Sequence, residues 1–174
     1  MPWYRKNGKI LRPITDQTFI ERMDSGHFAT RKHKGFIATL YYSAVRKGEA
    51  LKATKEQFII TEDRVSFDVE KRLKHSLTTP PLSIPLSAPY VDEIVWSVEN
   101  TEKGKRVWGY SGKTAYNIVD RVFPAYPHFF RLSRITNFFS EGRTITELGP
   151  LAAFITIEAI LIMGWAAFRK SSRS

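Results

Sequence analysis

The chain has 174 residues, of which 43% are hydrophobic and 13% aromatic, so it can form one domain with a buried core and is not a largely disordered protein. Its formal net charge of +10 favours a polyanionic partner, either a nucleic acid or an anionic membrane surface. Cysteine is absent, which excludes disulfides and thiolate zinc sites and is compatible with a reducing compartment.

The N-terminal region predicts a basic arm and a short helix. Residues 1–14 are rich in lysine and arginine and are interrupted by prolines and a glycine, a pattern typical of an extended arm. This stretch has no apolar run, so we expect no secretory signal. A helix then follows through Met23, with Thr15 or Asp16 as its cap.

A longer helix is predicted over residues 28–44. Four residues form one apolar face at helical spacing, namely Phe36, Ile37, Leu40 and Tyr41. Three basic residues crowd its start, namely Arg31, Lys32 and Lys34. Arg46 follows the end of this helix and precedes a second helical piece that carries Glu49.

The middle of the chain predicts a small antiparallel sheet. Residues 58–61, 64–69 and 82–86 are enriched in β-branched and aromatic side chains, and Pro85 suits an edge strand. A basic turn lies between the second and third of these segments and contains Lys71, Arg72, Lys74 and His75.

The second half predicts three helices, over residues 88–99, 113–123 and 128–139, and a loop over residues 102–109. Ser111 is placed to cap the second helix. Its inward face is formed by Ala115, Ile118, Val119 and Val122. In the third helix, Leu132, Ile135, Phe138 and Phe139 are expected to point inward. A capping-box pattern at residues 144–147 predicts another helix start.

Arg46, His128 and Arg131 have the chemistry needed to hold a phosphodiester. An arginine stays charged and offers a planar fork to the non-bridging oxygens of a phosphate. His128 and Arg131 are three positions apart, so they share one side of a helix, where a histidine can transfer a proton. Such a pair is also common on the surface of amphipathic helices, and the order of motifs along the chain is more specific than the pair itself.

That order resembles the catalytic domain of the tyrosine recombinases, the phage-integrase family. Residues 40–51 (LYYSAVRKGEAL) are similar to the first arginine box, and residues 127–131 (PHFFR) are similar to the His-x-x-Arg box. Between them, the strands and basic turn resemble the family's β-hairpin, and residues 111–119 resemble the helix that precedes the second box. The resemblance covers residues 28–149 and implies an α+β fold, mostly helical, with a small antiparallel sheet.

The resemblance also implies roles for individual residues. Arg46 and Arg131 would clamp the scissile phosphate, and His128 would assist proton transfer. Lys71 would be the general acid, with Lys74 as the alternative, because the register of the turn is not fixed by one sequence. Glu49 is interpreted as structural, holding Arg46 or the helix end.

Double-stranded DNA is the partner that the resemblance implies, and no metal or cofactor is implied. The residues that we expect to contact DNA are basic and lie near the helix starts and the turn, namely Arg31, Lys32, Lys34, Arg72, Lys74 and Lys113. These expectations place the protein in the cytoplasm and in association with DNA. An oligomer with itself or with a full-length recombinase is also compatible with this interpretation.

The sequence departs from the family after residue 149. No tyrosine occurs after Tyr126 and no histidine after His128, although the family ends in a further box and a nucleophilic tyrosine. Tyr116 and Tyr126 precede or border the His-x-x-Arg box and are poor substitutes. Residues 151–168 instead predict an apolar helix with a basic end. This segment is interpreted as a membrane anchor, as a helix that docks on the domain or on a second protomer, or as an out-of-frame end.

We therefore expect three regions: a basic arm with a short helix over residues 1–27, a recombinase-like catalytic domain over residues 28–149, and an apolar C-terminal helix over residues 150–174. The leading hypothesis is a truncated recombinase-like protein that binds DNA but does not form the phosphotyrosyl link alone. The alternatives are a non-catalytic DNA-binding regulator and a membrane-tethered basic protein.

Overall fold

The computed structural model of the protein describes residues 5–6, 9–10, 12–68 and 82–140. The α-helices in these ranges are α1 (Asp16–Ser25), α2 (Arg31–Ser43), α3 (Lys47–Lys52), α4 (Val91–Glu99), α5 (Gly112–Val122) and α6 (Pro127–Ser140). The strands are β1 (Arg5–Lys6), β2 (Lys9–Ile10), β3 (Phe58–Ile60), β4 (Arg64–Phe67) and β5 (Leu82–Pro85), with a 3₁₀ turn at Lys55–Gln57 before β3.

The strands form two antiparallel sheets. In the N-terminal arm, β1 pairs with β2, so this part of the predicted extended arm is a short hairpin. The other sheet has the order β3-β4-β5, with Phe58 opposite Phe67 and Val65 opposite Ile84. This confirms the predicted small antiparallel sheet, and Pro85 lies on its edge strand, where a missing N–H donor is tolerated. The predicted basic turn, residues 71–75, lies outside the described residues.

Helix α2 lies in the core and contacts both α4 and α6. The predicted apolar face is confirmed, since its four residues are fully buried: Phe36, Ile37, Leu40 and Tyr41. Phe19 of α1 stacks on Tyr41 with ring centroids 4.0 Å apart and also stacks on Phe123. Such aromatic pairs add to the stabilisation that comes from burial alone. Helices α1 and α2 and the C-terminal end of α5, which Phe123 directly follows, are therefore connected through one aromatic cluster.

Side-chain caps determine where several helices begin. Thr15 caps α1 and Ser111 caps α5, as the sequence predicts. Helix α2 begins at Arg31 rather than at residue 28, because the Thr30 hydroxyl accepts the backbone N–H of His33 at 3.3 Å. Helix α4 begins at residue 91 rather than 88, because Tyr90 has a positive φ of 66° that interrupts the helical conformation.

The segment that precedes α1 is hydrogen-bonded to α6, and the first residue of α1 is hydrogen-bonded to α2. The Ile14 N–H donates to the Ser133 hydroxyl at 2.9 Å, and Asn137 donates to the Ile14 carbonyl at 2.7 Å. Tyr41 of α2 donates to the carboxylate of Asp16 at 2.6 Å. The basic arm therefore enters the domain beside α6, the helix that carries the second arginine motif.

None of the helices in the described ranges has the length and apolar character to cross a bilayer. The predicted helix over residues 151–168 and the capping box at residues 144–147 lie outside these ranges. Leu132 and Ile135 are buried as predicted. The side chains of Phe138 and Phe139 are not among those described.

Candidate functional site

The first arginine motif lies on a tight connection between α2 and α3. Ala44, at the C-terminal end of α2, adopts the left-handed conformation with φ 50° and ψ 25°. An alanine is disfavoured there by about 1 kcal/mol relative to a right-handed conformation. Val45 follows and is 1% exposed, so it fixes the connection to the core. The next residue, Arg46, is therefore held at the start of α3 by the buried residues before it.

Arg46 is exposed and paired with Glu49. The Arg46 side chain is 46% exposed, and its Nη1 lies 3.2 Å from the Glu49 carboxylate. The other carboxylate oxygen of Glu49 accepts the backbone N–H of Arg46 at 3.0 Å. Glu49 thus contacts both the arginine and the N-terminus of α3, where a negative charge is favourable. Its structural role remains a prediction.

Arg131 reaches the same connection from α6. It is 2% exposed, and its Nη1 donates a hydrogen bond of 3.0 Å to the backbone carbonyl of Ala44. The last carbonyls of a helix lack partners within it, and a cation near them is favourable. The fold therefore brings together two motifs that lie 85 positions apart in the sequence. Arg46 lies at the surface of the α2–α3 connection, whereas Arg131 is buried and contacts this connection through Ala44.

His128 is the second residue of α6 and is exposed, one helical turn before Arg131. The helix begins at Pro127, where the missing N–H leaves no helical hydrogen bond unmade. The two side chains differ in environment, because His128 faces solvent whereas Arg131 is buried. An exposed histidine on the same helix can exchange protons with solvent or with a bound molecule.

Lys113 lies at the start of α5 and is exposed. Helix α5 begins beside α3: a Cβ placed on Gly112 would be 3.6 Å from the Lys47 ammonium. Lys47 directly follows Arg46. The structure therefore brings Lys113 to the α3 side of the molecule, and it adds Lys47, which the sequence reasoning did not single out. Its position next to Arg46 was the available signal.

The other predicted DNA-contacting residues described by the structure lie at the opposite end of α2. That helix has 13 residues, so its ends are about 20 Å apart. Arg31 pairs with Glu93 and also lies over the Trp96 ring at 5.3 Å. The Lys34 ammonium lies 5.3 Å from the centroid of the Phe28 ring.

Lys32, between Arg31 and Lys34, is partly buried, and desolvation lowers the pKa of its ammonium group. The patch of Arg31, Lys32 and Lys34 is thus separate from the connection that carries Arg46 and engages neighbouring aromatic and acidic groups. Lys71, Arg72 and Lys74 lie outside the described residues, so their roles stay predictions.

Several tyrosines are embedded in the fold. Burial raises the pKa of Tyr42 to about 12 and that of Tyr110 to about 12. Burial first, and then the hydrogen bond to Asp16, raises the pKa of Tyr41 well above its ordinary value. Burial also raises the pKa of Tyr126, which lies two residues before His128. Tyr116 is 36% exposed on α5. A buried phenol is poorly placed to meet a DNA phosphate.

A metal centre has no support in the residues that the structure covers: these ranges contain no group of three or more potential His, Cys, Asp or Glu ligands. The connection carries the charged guanidinium of Arg46 and the neighbouring Lys47 ammonium, and the Arg131 guanidinium donates a hydrogen bond to it from α6. These groups suit a phosphate ester better than a neutral ligand.

Comparisons with known proteins identify the fold. No family model matches the chain, and no curated protein matches it in sequence. Its structure is similar to the XerH site-specific recombinase bound to its difH substrate in a pre-cleavage complex, with a TM-score of 0.57 and 14% identity over 78% of this chain and 44% of that chain. The post-cleavage complex of XerH with palindromic difH gives a TM-score of 0.58 and 15% identity over 78% of this chain and 43% of that chain.

The chain thus spans less than half the length of the solved structures that it matches. The likeness covers 78% of this chain, and the described residues contain the three-stranded antiparallel sheet that the sequence predicts. The described part of the chain has the fold of a tyrosine-recombinase-like domain, mostly helical with a small antiparallel sheet.

Proposed function

We propose that this chain is a recombinase-like protein that binds double-stranded DNA, with a backbone phosphate held at Arg46. The observation that carries the proposal is the hydrogen bond from Arg131 to the Ala44 carbonyl, which joins the two arginine motifs at one place. The fold likeness to a site-specific recombinase bound to its DNA substrate supports the same partner. The formal net charge of +10 favours it as well.

In this proposal each group has a distinct task. The exposed guanidinium of Arg46 contacts the phosphate oxygens. These contacts replace part of its ion pair with Glu49. Arg131 adds a second positive charge, which is buried next to the α2–α3 connection. His128 transfers a proton at the phosphate. Fixed charges of this kind lower the barrier for phosphoryl transfer by about 3 kcal/mol per donor in comparable sites. The sequence-based idea that Arg131 itself clamps the phosphate stays a prediction.

The basic turn completes the site in the same proposal. When the tyrosine of a full-length recombinase in a mixed assembly attacks the phosphorus, Lys71 protonates the leaving 5′-oxygen, with Lys74 as the alternative. The Lys113 ammonium contacts a neighbouring phosphate. These residues are carried over from the resemblance, and replacement of each lysine by alanine tests them individually.

We further propose that this 174-residue chain does not form a phosphotyrosyl link by itself. The burial of Tyr41 and the partial burial of Tyr42 and Tyr110 support this, because these phenols are packed against the core rather than presented to a ligand. The chain then acts as a DNA-binding regulator, or it receives the nucleophile from a full-length recombinase in a mixed assembly.

Duplex binding tests the first part of the proposal. Wild-type protein and Arg46→Ala are titrated into a fluorescein-labelled duplex of mixed sequence, with fluorescence anisotropy as the readout. Arg64→Ala is the matched control: Arg64 is 54% exposed, is also ion-paired, and is the first residue of β4, opposite Pro85. We expect Arg46→Ala alone to weaken binding. Equal effects of the two variants would contradict a specific role for Arg46.

A nicked suicide substrate tests the second part. We expect no covalent adduct with the chain alone, in a denaturing gel that detects protein-linked DNA. A covalent adduct would contradict the non-catalytic proposal, and Tyr116→Phe and Tyr126→Phe would then identify the nucleophile.

A further inference from the structure

The C-terminal end of α2 has an unusual backbone conformation at Ala44. This residue determines the direction in which the chain continues toward Arg46. Ala44 is fully buried and has a φ of 50°, a conformation that glycine adopts readily and alanine does not. A contact from elsewhere in the fold can stabilise this turn. Without one, right-handed or extended conformations of residue 44 would compete and would send Arg46 in a different direction.

The buried guanidinium of Arg131 makes such a contact. It donates to the Ala44 carbonyl from α6, across 87 positions of sequence. A charged donor in a buried setting makes a stronger hydrogen bond than a neutral donor in water. The orientation of the Ala44 carbonyl is set by the same backbone torsions that set the direction of the next peptide, so fixing one fixes the other.

Only Val45 separates Ala44 from Arg46, and it is 1% exposed. On the far side, the Glu49 carboxylate accepts the Arg46 N–H at 3.0 Å. The backbone of Arg46 is therefore fixed from both directions, by Arg131 through Ala44 and by Glu49 through α3. The Arg46 side chain therefore extends from a backbone that has one fixed conformation.

We propose that Arg131 is a positioning residue for Arg46, acting through the Ala44 carbonyl. This inference rests on the proposed function, because its consequence is the direction in which Arg46 meets a DNA phosphate. The competing account is that Arg131 contributes only a phosphate contact of its own. The two accounts differ in whether the effects of changing Arg46 and Arg131 are independent.

A double-mutant cycle separates them. The affinities of wild type, Arg46→Ala, Arg131→Gln and the double variant for a mixed-sequence duplex are measured by fluorescence anisotropy. Glutamine keeps a hydrogen-bond donor but removes the charge and shortens the side chain. We expect each single change to weaken binding roughly tenfold and the double variant to be no more than about twofold weaker than either. A product of the two effects, roughly a hundredfold, would overturn the positioning role.

A rescue variant provides a readout that a general loss of stability would not give. In Arg131→Gln, Ala44→Gly supplies a residue that adopts the left-handed turn without assistance. We expect it to recover at least about half of the lost binding on a logarithmic scale, while the same change in Arg131→Gln/Arg46→Ala recovers none. No recovery in a folded Arg131→Gln/Ala44→Gly protein would overturn the inference.

Circular dichroism of every variant shows whether it is folded at the assay temperature. If Arg131→Gln is not folded, Arg131→Met takes its place in the same cycle and rescue, because methionine suits a buried position but cannot donate to the Ala44 carbonyl. The expected non-additivity and recovery are unchanged. If wild-type protein shows no salt-dependent duplex binding, the proposed function fails together with the inference. Binding by wild type combined with additive losses would overturn the inference alone.

Discussion

Gly35 of α2 packs directly against the backbone of Glu93 in α4. A Cβ placed on Gly35 would lie 2.6 Å from the Glu93 carbonyl oxygen and 3.0 Å from the Ser97 hydroxyl. The Ser97 hydroxyl also donates to the Glu93 carbonyl at 2.7 Å. The absence of a side chain at position 35 therefore allows the close contact between α2 and α4.

Gly35→Ala is expected to destabilise the protein by about 1–3 kcal/mol, because the added methyl group can be accommodated only by separating two backbones. Urea denaturation followed by circular dichroism measures the change. An unchanged or increased free energy of unfolding would show that α2 and α4 are not packed in this way.

Gly48→Ala is the matched control for that variant. Gly48 lies within α3, and no atom comes within 4 Å of a Cβ built there. The helical propensity of alanine then dominates, and we expect stabilisation of about 0.5–1 kcal/mol. Destabilisation by Gly48→Ala would mean that α3 is not helical at this position.

Tyr41 connects α2 to the segment that precedes α1. Its hydroxyl donates to Asp16 at 2.6 Å and lies 3.3 Å from the Ile14 carbonyl. Tyr41→Phe keeps the ring that stacks on Phe19 but removes the donor, so we expect a loss of about 1–2 kcal/mol in the free energy of unfolding. Tyr42→Phe, the adjacent change, leaves this contact intact and should have a smaller effect. Equal effects in thermal denaturation would contradict the assignment.

His33 makes stability depend on pH. Burial, and then the charge of Arg121, lower the pKa of His33 from its ordinary value of 6.5. The unfolded chain therefore binds a proton more readily than the folded protein does. This contribution to stability is present above about pH 6.5 and is lost as the pH falls toward the lowered pKa of the folded state.

His33→Gln removes that titration. We expect the free energy of unfolding of wild type to fall more than that of His33→Gln between about pH 7.5 and about pH 5.5. Parallel curves for the two proteins would show that the His33 pKa is not lowered on folding.

Local patterns in the sequence were sufficient to predict most of the fold. The apolar face of α2 follows from helical spacing, and the cap of α5 follows from a serine in front of a helical run. The late start of α4 was not predictable, because it depends on the positive φ of Tyr90. That conformation accompanies tertiary contacts, including a hydrogen bond from the Tyr90 hydroxyl to Asp24.

The candidate site was predictable as a set of residues but not as an arrangement. The two arginine motifs could be found from their order, whereas the contact between Arg131 and Ala44 has no local signal. An alanine gives no indication of a left-handed turn, and the partner lies in a distant helix. Arg31 shows the same limit, since its pairing with Glu93 joins residues 62 positions apart.

The salt dependence of duplex binding tests the central claim most directly. For wild-type protein, Arg46→Ala and Arg64→Ala, the logarithm of the association constant is plotted against the logarithm of the salt concentration. If Arg46 holds a phosphate, Arg46→Ala should reduce the magnitude of the slope by about 0.9, the contribution of one contact to B-DNA. Arg64→Ala should leave the wild-type slope unchanged. A slope for Arg46→Ala equal to that of wild type would contradict the claim that this residue binds the DNA backbone.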